Sequence, residues 1–329
     1  MNFKNQIAAV MEQIPGLKQI LKFRRRRIYR KMLLQDPRIN ANRVYKNVFH
    51  RDINWESPRN LIEKIYWLQL FTDTTLWTQC ADKYRMREYV ESKGCSHLLP
   101  RLYGHWEKAE NIDYNKLPKS FVLKTTNGCG QVLIVADKSE INIVKTNKLL
   151  NEWMRLKYGF IDAQIHYSRI KPCIIAEEFL IVKEKKDQSL IDYKVWCFEG
   201  KPEYILVIHD RIISGPNKGY KTSAYDLNWN NISERALNKD SCHFDGIDLP
   251  KPKCLDEMLK YATILSADFP EVRVDFYDID GRLVLGEMTF TTGYGSHNEV
   301  FYNYLGSKID LSKVKQLNGI NKPELDVKL

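Results

Sequence analysis

The stretch Glu271–Gly295, EVRVDFYDIDGRLVLGEMTFTTGYG, decides the fold of this chain. Two runs in which apolar residues alternate with others, Val272–Tyr277 and Leu283–Met288, flank the tetrapeptide Asp278-Ile279-Asp280-Gly281. An Asp-Gly pair between alternating apolar runs is a strong local signal for a tight β-hairpin. The stretch therefore predicts a two-stranded hairpin that belongs to a larger sheet.

Charged side chains are predicted to gather on one face of this hairpin. Asp275 lies in the first strand and Glu287 in the second, and Arg273 stands two residues before Asp275, which puts it on the same face. Two carboxylates and the hydroxyl of Thr289 form a set of hard oxygen ligands suited to Mg²⁺ that carries phosphates. A fixed cation beside them suits a phosphoryl-transfer or acyl-phosphate site. The alternative is a surface hairpin with ordinary charged residues.

The composition is that of a folded protein with an anionic partner. The 329 residues, 43% of them hydrophobic, are enough for one large or two modest domains. Lysine and arginine exceed aspartate and glutamate by 51 − 41 = 10. This surplus favours phosphates, acidic glycans, anionic lipid or nucleic acid as partners, and charge alone does not choose among them.

The cysteine pattern and the absence of long apolar runs indicate the compartment. Seven cysteines are scattered without a CxxC pair, which fits reduced thiols better than a disulfide framework or a zinc site. No N-terminal signal-peptide pattern and no apolar run of about 18 residues is visible. We expect a cytoplasmic protein and leave open a peripheral contact with the inner face of the membrane.

Residues 1–36 are predicted to be helical and strongly basic. They contain the run Arg24-Arg25-Arg26-Arg27, followed by further cations and apolar residues. A basic amphipathic helix can lie on anionic lipid or contact an acidic polymer. The alternative is a solvated helix that packs its apolar stripe on its own domain.

A glycine-rich loop is predicted between two strands. Ser120–Thr126 reads as a strand, Asn127–Gln131 as a loop that contains Gly128 and Gly130, and Val132–Val135 as a second strand. This order differs from the strand–loop–helix order of a Walker or Rossmann loop. Glycines let backbone amides close over a phosphate, and Lys124 at the base of the loop would add a positive charge. A plain hairpin turn is the alternative.

Other elements are predicted from periodicity and from residues typical of helix ends. A helix is expected to start at Ser57-Pro58, and a second to run from Asp82 to Lys93, with Lys83 in its first turn and Gly94 at its end. The remaining expected elements are helices at 138–158, 255–268 and 299–311, a strand at 174–181, a hairpin of 192–198 with 204–209, and a polar loop at 211–250.

Taken together, these pieces resemble the ATP-grasp superfamily, and within it the TupA-like branch associated with teichuronopeptide and surface-polysaccharide loci. The resemblance covers roughly residues 45–305 and depends on the order of six short motifs. These motifs are Asp82-Lys83, Phe121–Lys124 before the glycine loop, Glu177–Leu180, Asp192–Lys194, Arg273–Phe276 and Gly286–Thr289.

The resemblance implies an α+β ATP-grasp fold, in which two α+β subdomains hold ATP between antiparallel sheets behind a basic helical N-terminal extension. It implies boundaries at 1–80 for the extension, 81–182 for the small subdomain with the glycine loop, and 183–329 for the large subdomain with the Mg²⁺-binding hairpin. One departure is that many ATP-grasp enzymes carry a full Rossmann-like domain ahead of the first lysine. Only 82 residues precede Lys83 here, so the origin of the acceptor site stays open.

The resemblance also implies roles for individual residues in binding ATP and Mg²⁺. The phosphates would be gripped by Lys83 and Lys124 under the glycine loop, which includes Gly128, Gly130 and Gln131. The adenine hinge would be Glu177, Glu178, Phe179 and Leu180, and the ribose would be held by Asp192, or instead by Glu184 or Asp187. The metal ligands would be Asp275, Glu287 and Thr289, the last in place of the more usual asparagine, and the catalytic cations Arg273 and Lys194.

The function that the resemblance implies is a carboxylate–amine ligase of surface polysaccharide biosynthesis. ATP would activate a carboxylate of an acidic glycan or uronic-acid precursor, and an amino acid or amino sugar would then attack. A sugar kinase is the second hypothesis and needs a general base, for which His209, His243 and His297 are candidates. A glycosyltransferase that uses Asp278-Ile279-Asp280 is the third. A nucleic-acid binder is not expected, because no RNP, KH or helix-turn-helix signature is present.

Overall fold

The computed structural model describes residues 15–160, 163–182, 189–212, 219–291 and 294–324. The alternative acids Glu184 and Asp187 lie outside the described residues. The helices are α1 (Pro15–Leu34), α2 (Pro37–Phe49), α3 (Leu61–Phe71), α4 (Thr75–Ala81), α5 (Met86–Ser92), α6 (Ile143–Met154), α7 (Ser233–Ala236), α8 (Leu255–Ser266) and α9 (Glu299–Ser307). The strands are β1 (Leu102–Trp106), β2 (Phe121–Thr125), β3 (Val132–Val135), β4 (Ile174–Glu177), β5 (Asp192–Phe198), β6 (Lys201–Ile212), β7 (Gly219–Tyr225), β8 (Val272–Ile279) and β9 (Arg282–Thr289).

The strands form two antiparallel sheets. Four strands lie in the order β1-β4-β2-β3, and five lie in the order β7-β6-β5-β8-β9. Every strand pair described in the two sheets is antiparallel. The predicted α+β class with two antiparallel sheets is therefore confirmed.

The hairpin predicted within Glu271–Gly295 is confirmed and consists of β8 and β9. Asp280 and Gly281 connect the strands with φ of 55° and 91°, the left-handed conformation that a two-residue hairpin turn of this hand requires. A β-bulge between Asp275 and Phe276 shifts the register of the residue pairs that lie nearer the turn. On the other side of the bulge, Asp275 lies directly opposite Glu287. The hairpin therefore brings the two predicted metal-binding acids side by side.

The five-stranded sheet carries the larger hydrophobic core. Helix α8 contacts β5, β6 and β8, α4 contacts β9, and α9 contacts α3. Buried side chains from α2–α5, from this sheet and from α8 and α9 belong to one cluster. Val274 and Phe276 point into that core and are fully buried. Because strand side chains alternate between faces, Arg273 and Asp275 point to the opposite face.

The four-stranded sheet has a smaller core of its own. Phe121, Leu123, Ile174 and Ala176 are buried there, and Leu150 of α6 packs against them. This separate cluster covers residues between Ala109 and Ala176 and includes no residue of α2–α5. The subdomain boundaries themselves remain predictions.

The helix expected at Ser57-Pro58 begins later, at Leu61. The Asn60 side chain accepts a hydrogen bond from the backbone N–H of Glu63 at 3.0 Å, and the Glu63 carboxylate accepts one from the backbone N–H of Asn60 at 3.3 Å. This capping box satisfies two N–H groups that would otherwise lack partners, so it fixes the helix start. The predicted cap at Ser57 is wrong.

Lys83 lies ahead of a helix and not inside its first turn. The Asp82 carboxylate accepts hydrogen bonds from the backbone N–H groups of Tyr84 at 2.9 Å and Arg85 at 3.2 Å. These bonds hold a turn, and α5 starts only at Met86. The predicted position of Lys83 in the first turn of the helix is therefore wrong. Gly94 ends the segment with φ of 71°, as predicted.

Three other boundaries differ from the sequence expectation. Helix α6 is shorter than 138–158, because the Asn142 side chain caps it by accepting from the backbone N–H of Lys145 at 3.0 Å. Strand β4 ends at Glu177, before 178–181. The polar loop expected at 211–250 contains β7, which pairs with β6.

Candidate active site

The face of the five-stranded sheet opposite Val274 carries two short rows of functional side chains. Lys194 of β5 lies opposite Asp275 of β8, which lies opposite Glu287 of β9. In the adjacent row, Trp196, Arg273 and Thr289 lie opposite one another across the same strands. Directly opposed residues in antiparallel strands share a face. The register thus confirms the predicted common face and adds Lys194 to it.

Asp275 is the centre of this arrangement and is already paired. Its Oδ1 accepts from Arg273 Nε at 2.7 Å, and its Oδ2 accepts from Arg273 Nη2 at 2.7 Å and from Lys194 Nζ. The residue is 2% exposed. Burial acts to raise the pKa of the Asp275 carboxyl, but the charges of Arg273 and Lys194 outweigh it, so the pKa is lowered. The carboxylate is therefore ionised and held in place.

Arg273 links the two rows. Its Nη2 donates to Thr289 Oγ1 at 3.2 Å and lies 3.6 Å from Glu287 Oε1. The guanidinium also lies over the ring of Trp196, 5.5 Å from its centroid. Burial acts to lower the pKa of Arg273, but the charge and hydrogen bonds of Asp275 outweigh it and raise the pKa. The side chain is a permanently charged group fixed on three sides.

The oxygen atoms of this face fit a Mg²⁺ ion because they are hard ligands and because some of their acceptor positions are not used by hydrogen bonds. The Glu287 side chain is 35% exposed, and its Oε1 accepts one long hydrogen bond, from Thr289 at 3.4 Å. Asp275 uses about three of the four acceptor positions of a carboxylate, which leaves one on Oδ1. Hard oxygen ligands of this kind suit Mg²⁺, which usually keeps several waters and takes few protein carboxylates. Glu287 is the more accessible of the two acids.

The two lysines expected to bind phosphates lie near the glycine loop, Lys124 in strand β2 and Lys83 in the turn before α5. Lys83 Nζ donates to the backbone carbonyl of Gly128 at 2.5 Å, and Lys124 Nζ donates to Glu177 Oε2 at 2.8 Å. Glu177 is 4% exposed and also accepts from Arg87 Nη1 at 3.1 Å. The buried Glu177 carboxylate is therefore stabilised by two cations of the protein. The Glu177 side chain therefore positions Lys124. The contact between Glu177 and Arg87 was not predicted from the sequence.

The glycine loop connects β2 and β3 as predicted. A Cβ on Gly128 would lie 2.8 Å from Gln131 Oε1 and 3.0 Å from the Tyr158 ring, so a side chain does not fit there. Gly130 has φ of 85°, which glycine adopts without strain. The loop backbone can therefore approach a ligand closely, and Gln131 folds back against it.

The loop reaches toward the reactive face of the other sheet. Desolvation raises the pKa of the Cys129 thiol at the loop tip, and the charge of Glu287 raises it further. Lys83, Arg273 and Lys194 also act on this thiol. The four charged groups come from both halves of the site. Groups from both halves of the site therefore lie near the exposed Cys129 side chain at the loop tip.

The predicted adenine hinge follows β4 and is tied to the β8–β9 hairpin. Arg282 makes a paired contact with Glu178, in which Nη1 donates to Oε1 at 2.7 Å and Nη2 to Oε2 at 2.8 Å. This contact lowers the pKa of Glu178. Phe179 and Leu180 come next and are half-buried, outside any strand. Their role at the adenine edge remains a prediction, and Arg282 is a link that the sequence did not indicate.

Asp192, predicted to hold the ribose, lies at the start of β5 on the same face as Lys194. Its carboxylate accepts from Arg211, and Lys194 Nζ lies 3.9 Å away. It is 5% exposed and also acts on the Tyr277 hydroxyl, whose pKa is raised by burial first and then by the charge of Asp192. The structure thus brings this residue to the edge of the site, and its role as ribose ligand stays a prediction.

The three histidines considered as general bases are engaged elsewhere. His297 lies in an aromatic cluster, where its Nε2 and the Tyr204 hydroxyl are 2.7 Å apart, and burial lowers its pKa to about 3. His243 stacks on Tyr220 at 3.9 Å. His209 follows Ile208 on β6, so it points away from the face that carries Lys194. The described structure offers none of the three as a base beside Asp275.

His209, Asp210 and Asp245 form a second cluster of potential metal ligands. Asp210 Oδ2 lies 3.0 Å from the Nδ1 atom of His209, and Asp245 Oδ2 lies 3.7 Å from its Nε2 atom. The acids therefore approach different ring nitrogens, whereas one ion binds only one of them. We interpret the cluster as a hydrogen-bonded buried histidine.

The Asp278-Ile279-Asp280 segment is explained by the turn it forms. Asp278 Oδ1 accepts from the backbone N–H of Gly281 at 2.7 Å, and its Oδ2 accepts from the backbone N–H of Cys254 at 3.2 Å. Asp280 is the first turn residue, with φ of 55°. These bonds account for the acids structurally, so the segment gives no support to a sugar-nucleotide site.

Comparison with known proteins agrees with this geometry. The family model "TupA-like ATPgrasp" matches residues 63–310. No curated protein matches the chain. Among solved structures, a D-alanine–D-alanine ligase from Bacillus anthracis is similar, with 17% identity over 73% of this chain and 69% of that chain and a TM-score of 0.46.

Other similar structures are more distant or longer. The D-cycloserine synthetase DcsG shares 13% identity over 72% of each chain, with a TM-score of 0.40. The ATP-grasp ligase PsnB in complex with its minimal precursor shares 11% identity over 70% of this chain, with a TM-score of 0.37. The chain covers only 59% of the length of PsnB and 59% of the B. anthracis ligase in its ATP complex. Since the family match extends over most of the sequence, the chain belongs to the TupA-like ATP-grasp family.

Proposed function

We propose that the protein is an ATP-dependent carboxylate–amine ligase that uses Mg²⁺. One observation carries the proposal: a fixed arginine and a lysine flank two carboxylates on one sheet, and two further lysines lie next to the glycine loop, Lys83 through its contact with Gly128 and Lys124 on the strand that leads into the loop. A site of this kind offsets the negative charge of a phosphoryl group in transfer. Family membership supports ATP as the phosphoryl donor.

Each group would have a distinct task. Lys83 and Lys124 would bind the ATP phosphates as point charges, while the loop backbone at Gly128 donates N–H groups to them. Asp275 and Glu287 would hold Mg²⁺, which supplies a positive charge to the phosphate oxygens when bound. Arg273 would stabilise the charge that develops on the acceptor carboxylate and the transferred phosphoryl group. An amine would then attack the acyl phosphate, and phosphate would leave.

The acceptor is proposed to be an acidic sugar, such as a uronic acid of a surface-polysaccharide precursor, with an amino acid or amino sugar as the amine. The net charge of +10 supports an acidic substrate. A solvent-open cleft of about 290 Å³ lies beside α2, lined by Phe49, His50, Asn238, Asn298 and Tyr302. Aromatic and amide side chains can stack on and hydrogen-bond to a sugar ring.

The position of this cleft supports a role for the N-terminal extension in the acceptor site. His297 lines one side of the cleft, and its ring packs on Trp196 with centroids 5.3 Å apart. The guanidinium of Arg273 lies over the ring of the same Trp196. The opposite wall comes from the end of α2, in the N-terminal extension. The extension would therefore supply the part of the acceptor site that a Rossmann-like domain supplies in other ATP-grasp enzymes.

The test is product analysis with a panel of uronic acids and amino compounds in the presence of Mg²⁺ and ATP. A ligase releases ADP and phosphate only when both co-substrates are present, and ¹⁸O from a labelled carboxylate appears in the phosphate. ADP with a phosphorylated sugar and no free phosphate would instead indicate a kinase. Glu287→Gln serves as the inactive control.

A further inference from the structure

Helix α1 presents one continuous exposed side that mixes apolar and cationic groups. Phe23 is 71% exposed, Ile28 is 44% exposed and Leu34 is 85% exposed. Large apolar side chains at such exposure are costly in water when they lie close together. At about 100° per residue, Phe23 and Leu34 lie roughly 20° apart around the helix axis. They therefore form a discontinuous apolar strip on one side of the helix, in which Arg27 and Arg30 lie between the two apolar residues along the chain.

Cations border this strip on both sides. The exposed side chains Arg24, Arg27, Arg30 and Lys31 lie with the apolar ones in an arc of about 160°. The sequence of α1 contains no acidic residue that could pair with them. This part of the chain is thus strongly positive as well as apolar.

The remaining described side chains of α1 face the protein. Tyr29, Met32 and Leu33 are half-buried, and the Tyr29 ring packs on Phe160 with centroids 5.5 Å apart. The helix is therefore held by its inner side, which fixes the direction of the exposed side. An amphipathic helix that served only to pack on its own domain would not expose Phe23 and Leu34.

We propose that this exposed side of α1 docks on the surface of an anionic lipid bilayer. The cations would contact lipid phosphates while Phe23 and Leu34 enter the interface between headgroups and acyl chains. A soluble polyanion would use the cations but would gain nothing from the apolar strip. The proposal goes beyond the ligase activity and does not depend on it.

The contact would be peripheral. Within the described ranges, no helix combines the length and the apolar character needed to cross a bilayer. The docked helix would lie in the plane of the interface, and α2 follows it after a short link.

The test is co-sedimentation of the full chain with vesicles of phosphatidylcholine alone or with about 30% phosphatidylglycerol. We expect binding to the anionic vesicles only. The variant Arg24→Gln/Arg27→Gln/Arg30→Gln/Lys31→Gln should lose about fivefold in partitioning for each cation removed. The variant Phe23→Ser/Leu34→Ser should lose at least tenfold, while its circular dichroism and its thermal unfolding stay unchanged.

Helix α6 offers a matched control. It exposes Val144 at 80% and Ile143 at 45%, next to the exposed lysines Lys145 and Lys148. Val144→Ser/Lys145→Gln/Lys148→Gln should bind anionic vesicles like the wild type.

Three results would overturn the proposal. One is the absence of binding to anionic vesicles, and a second is equal loss in the α6 control. A third is full binding by Phe23→Ser/Leu34→Ser, which would show that α1 recognises polyanions without entering the lipid interface.

Discussion

The two halves of the candidate site differ in how their cations are held. On the five-stranded sheet, Arg273 and Lys194 are buried and are both paired with Asp275. On the other side of the site, Lys83 is partly exposed, and the one hydrogen bond that its side chain makes within the described residues goes to the backbone carbonyl of Gly128. The first pair is fixed by strand register, whereas Lys83 lies in a turn.

This difference indicates a division of labour. A charge network that is complete before the ligand arrives needs no reorganisation during the reaction, which favours catalysis. A lysine on a carbonyl can exchange that neutral partner for a phosphate, because a charge-assisted hydrogen bond is about twice as strong as a neutral one. We therefore expect variants in the first half to change stability or turnover, and variants in the second half to change nucleotide affinity.

The largest effect is expected from Asp275→Asn. The sequence alone leads to the expectation that this variant keeps its fold, but the structure shows two buried cations that would lose their partner. We expect loss of turnover together with destabilisation of about 3–5 kcal/mol. Urea unfolding and ADP release measure the two effects.

Asp280→Asn is the matched control for this variant, because it makes the same chemical change at the exposed hairpin turn. It should leave both properties unchanged. A variant at Asp275 that is as stable as the wild type would contradict the role assigned to the ion network.

Glu287→Gln should separate catalysis from stability. Glu287 is partly exposed, and its contacts with Thr289 and Arg273 are long, so the free energy of unfolding should change by less than about 0.5 kcal/mol. Turnover should fall roughly 10³-fold, because a ligand for the charge-neutralising ion is removed. Steady-state kinetics with urea unfolding on the same preparation checks both. Turnover within tenfold of the wild type would remove Glu287 from the metal site.

Lys83→Met should weaken nucleotide binding without affecting the fold. The lysine contacts one carbonyl in the absence of ligand, and a lost charged hydrogen bond to phosphate costs roughly 10–100-fold in affinity. Calorimetric titration with ATP and Mg²⁺ gives the affinity. Lys119 is an exposed lysine two residues before β2, and the control variant Lys119→Met should bind ATP normally. Equal affinity in Lys83→Met and the wild type would mean that Lys83 does not contact the phosphates.

The smallest effect is expected at Glu271, which contacts the reactive face through Trp196. Its Oε1 accepts from Trp196 Nε1 at 2.7 Å, and its Oε2 has no hydrogen-bond partner among the described residues. Burial raises the pKa of Glu271 from 4.5 to about 8, so the folded protein holds a proton that the unfolded chain releases. Stability from this group is present below pH 4.5 and is lost as the pH rises toward 8.

Glu271→Gln isolates this contribution because glutamine keeps the acceptor for Trp196. From pH 6.5 to 8, the wild type should lose about 2 kcal/mol more stability than the variant. His297, whose pKa is lowered, contributes with the opposite sign, and its contribution, which is nearly complete by about pH 7.5, is the same in both proteins. Parallel pH profiles of chemical unfolding for the two proteins would show that Glu271 is ionised in the fold.

The sequence was most informative where local rules determine structure. The Asp280-Gly281 turn and strand alternation predicted that Arg273 and Asp275 share a face, and the register confirms it. Lys124 and the glycine loop were predicted for the same reason, since two short strands flank four turn-forming residues. Local signals thus located the reactive hairpin and the loop.

Partners that are distant in sequence were not predictable. Arg87 reaches Glu177 and Arg282 reaches Glu178 across 90 and 104 residues, and no local pattern marks those pairs. Strand β7 was missed because its residues Lys221, Thr222 and Ser223 read as a polar loop, although pairing with β6 makes it a strand.

A nucleotide site between the two sheets is tested most directly by comparing how much ATP and Mg²⁺ stabilise the wild type and the variant Lys124→Ala. At ATP concentrations of 100 times Kd, the wild type should gain about 2.7 kcal/mol, visible as a rise in Tm that requires Mg²⁺. In Lys124→Ala, Glu177 keeps its contact with Arg87, so the fold should persist while the ATP-dependent rise is lost. No rise in the wild type, or an equal rise in both proteins, would contradict a nucleotide site between the two sheets.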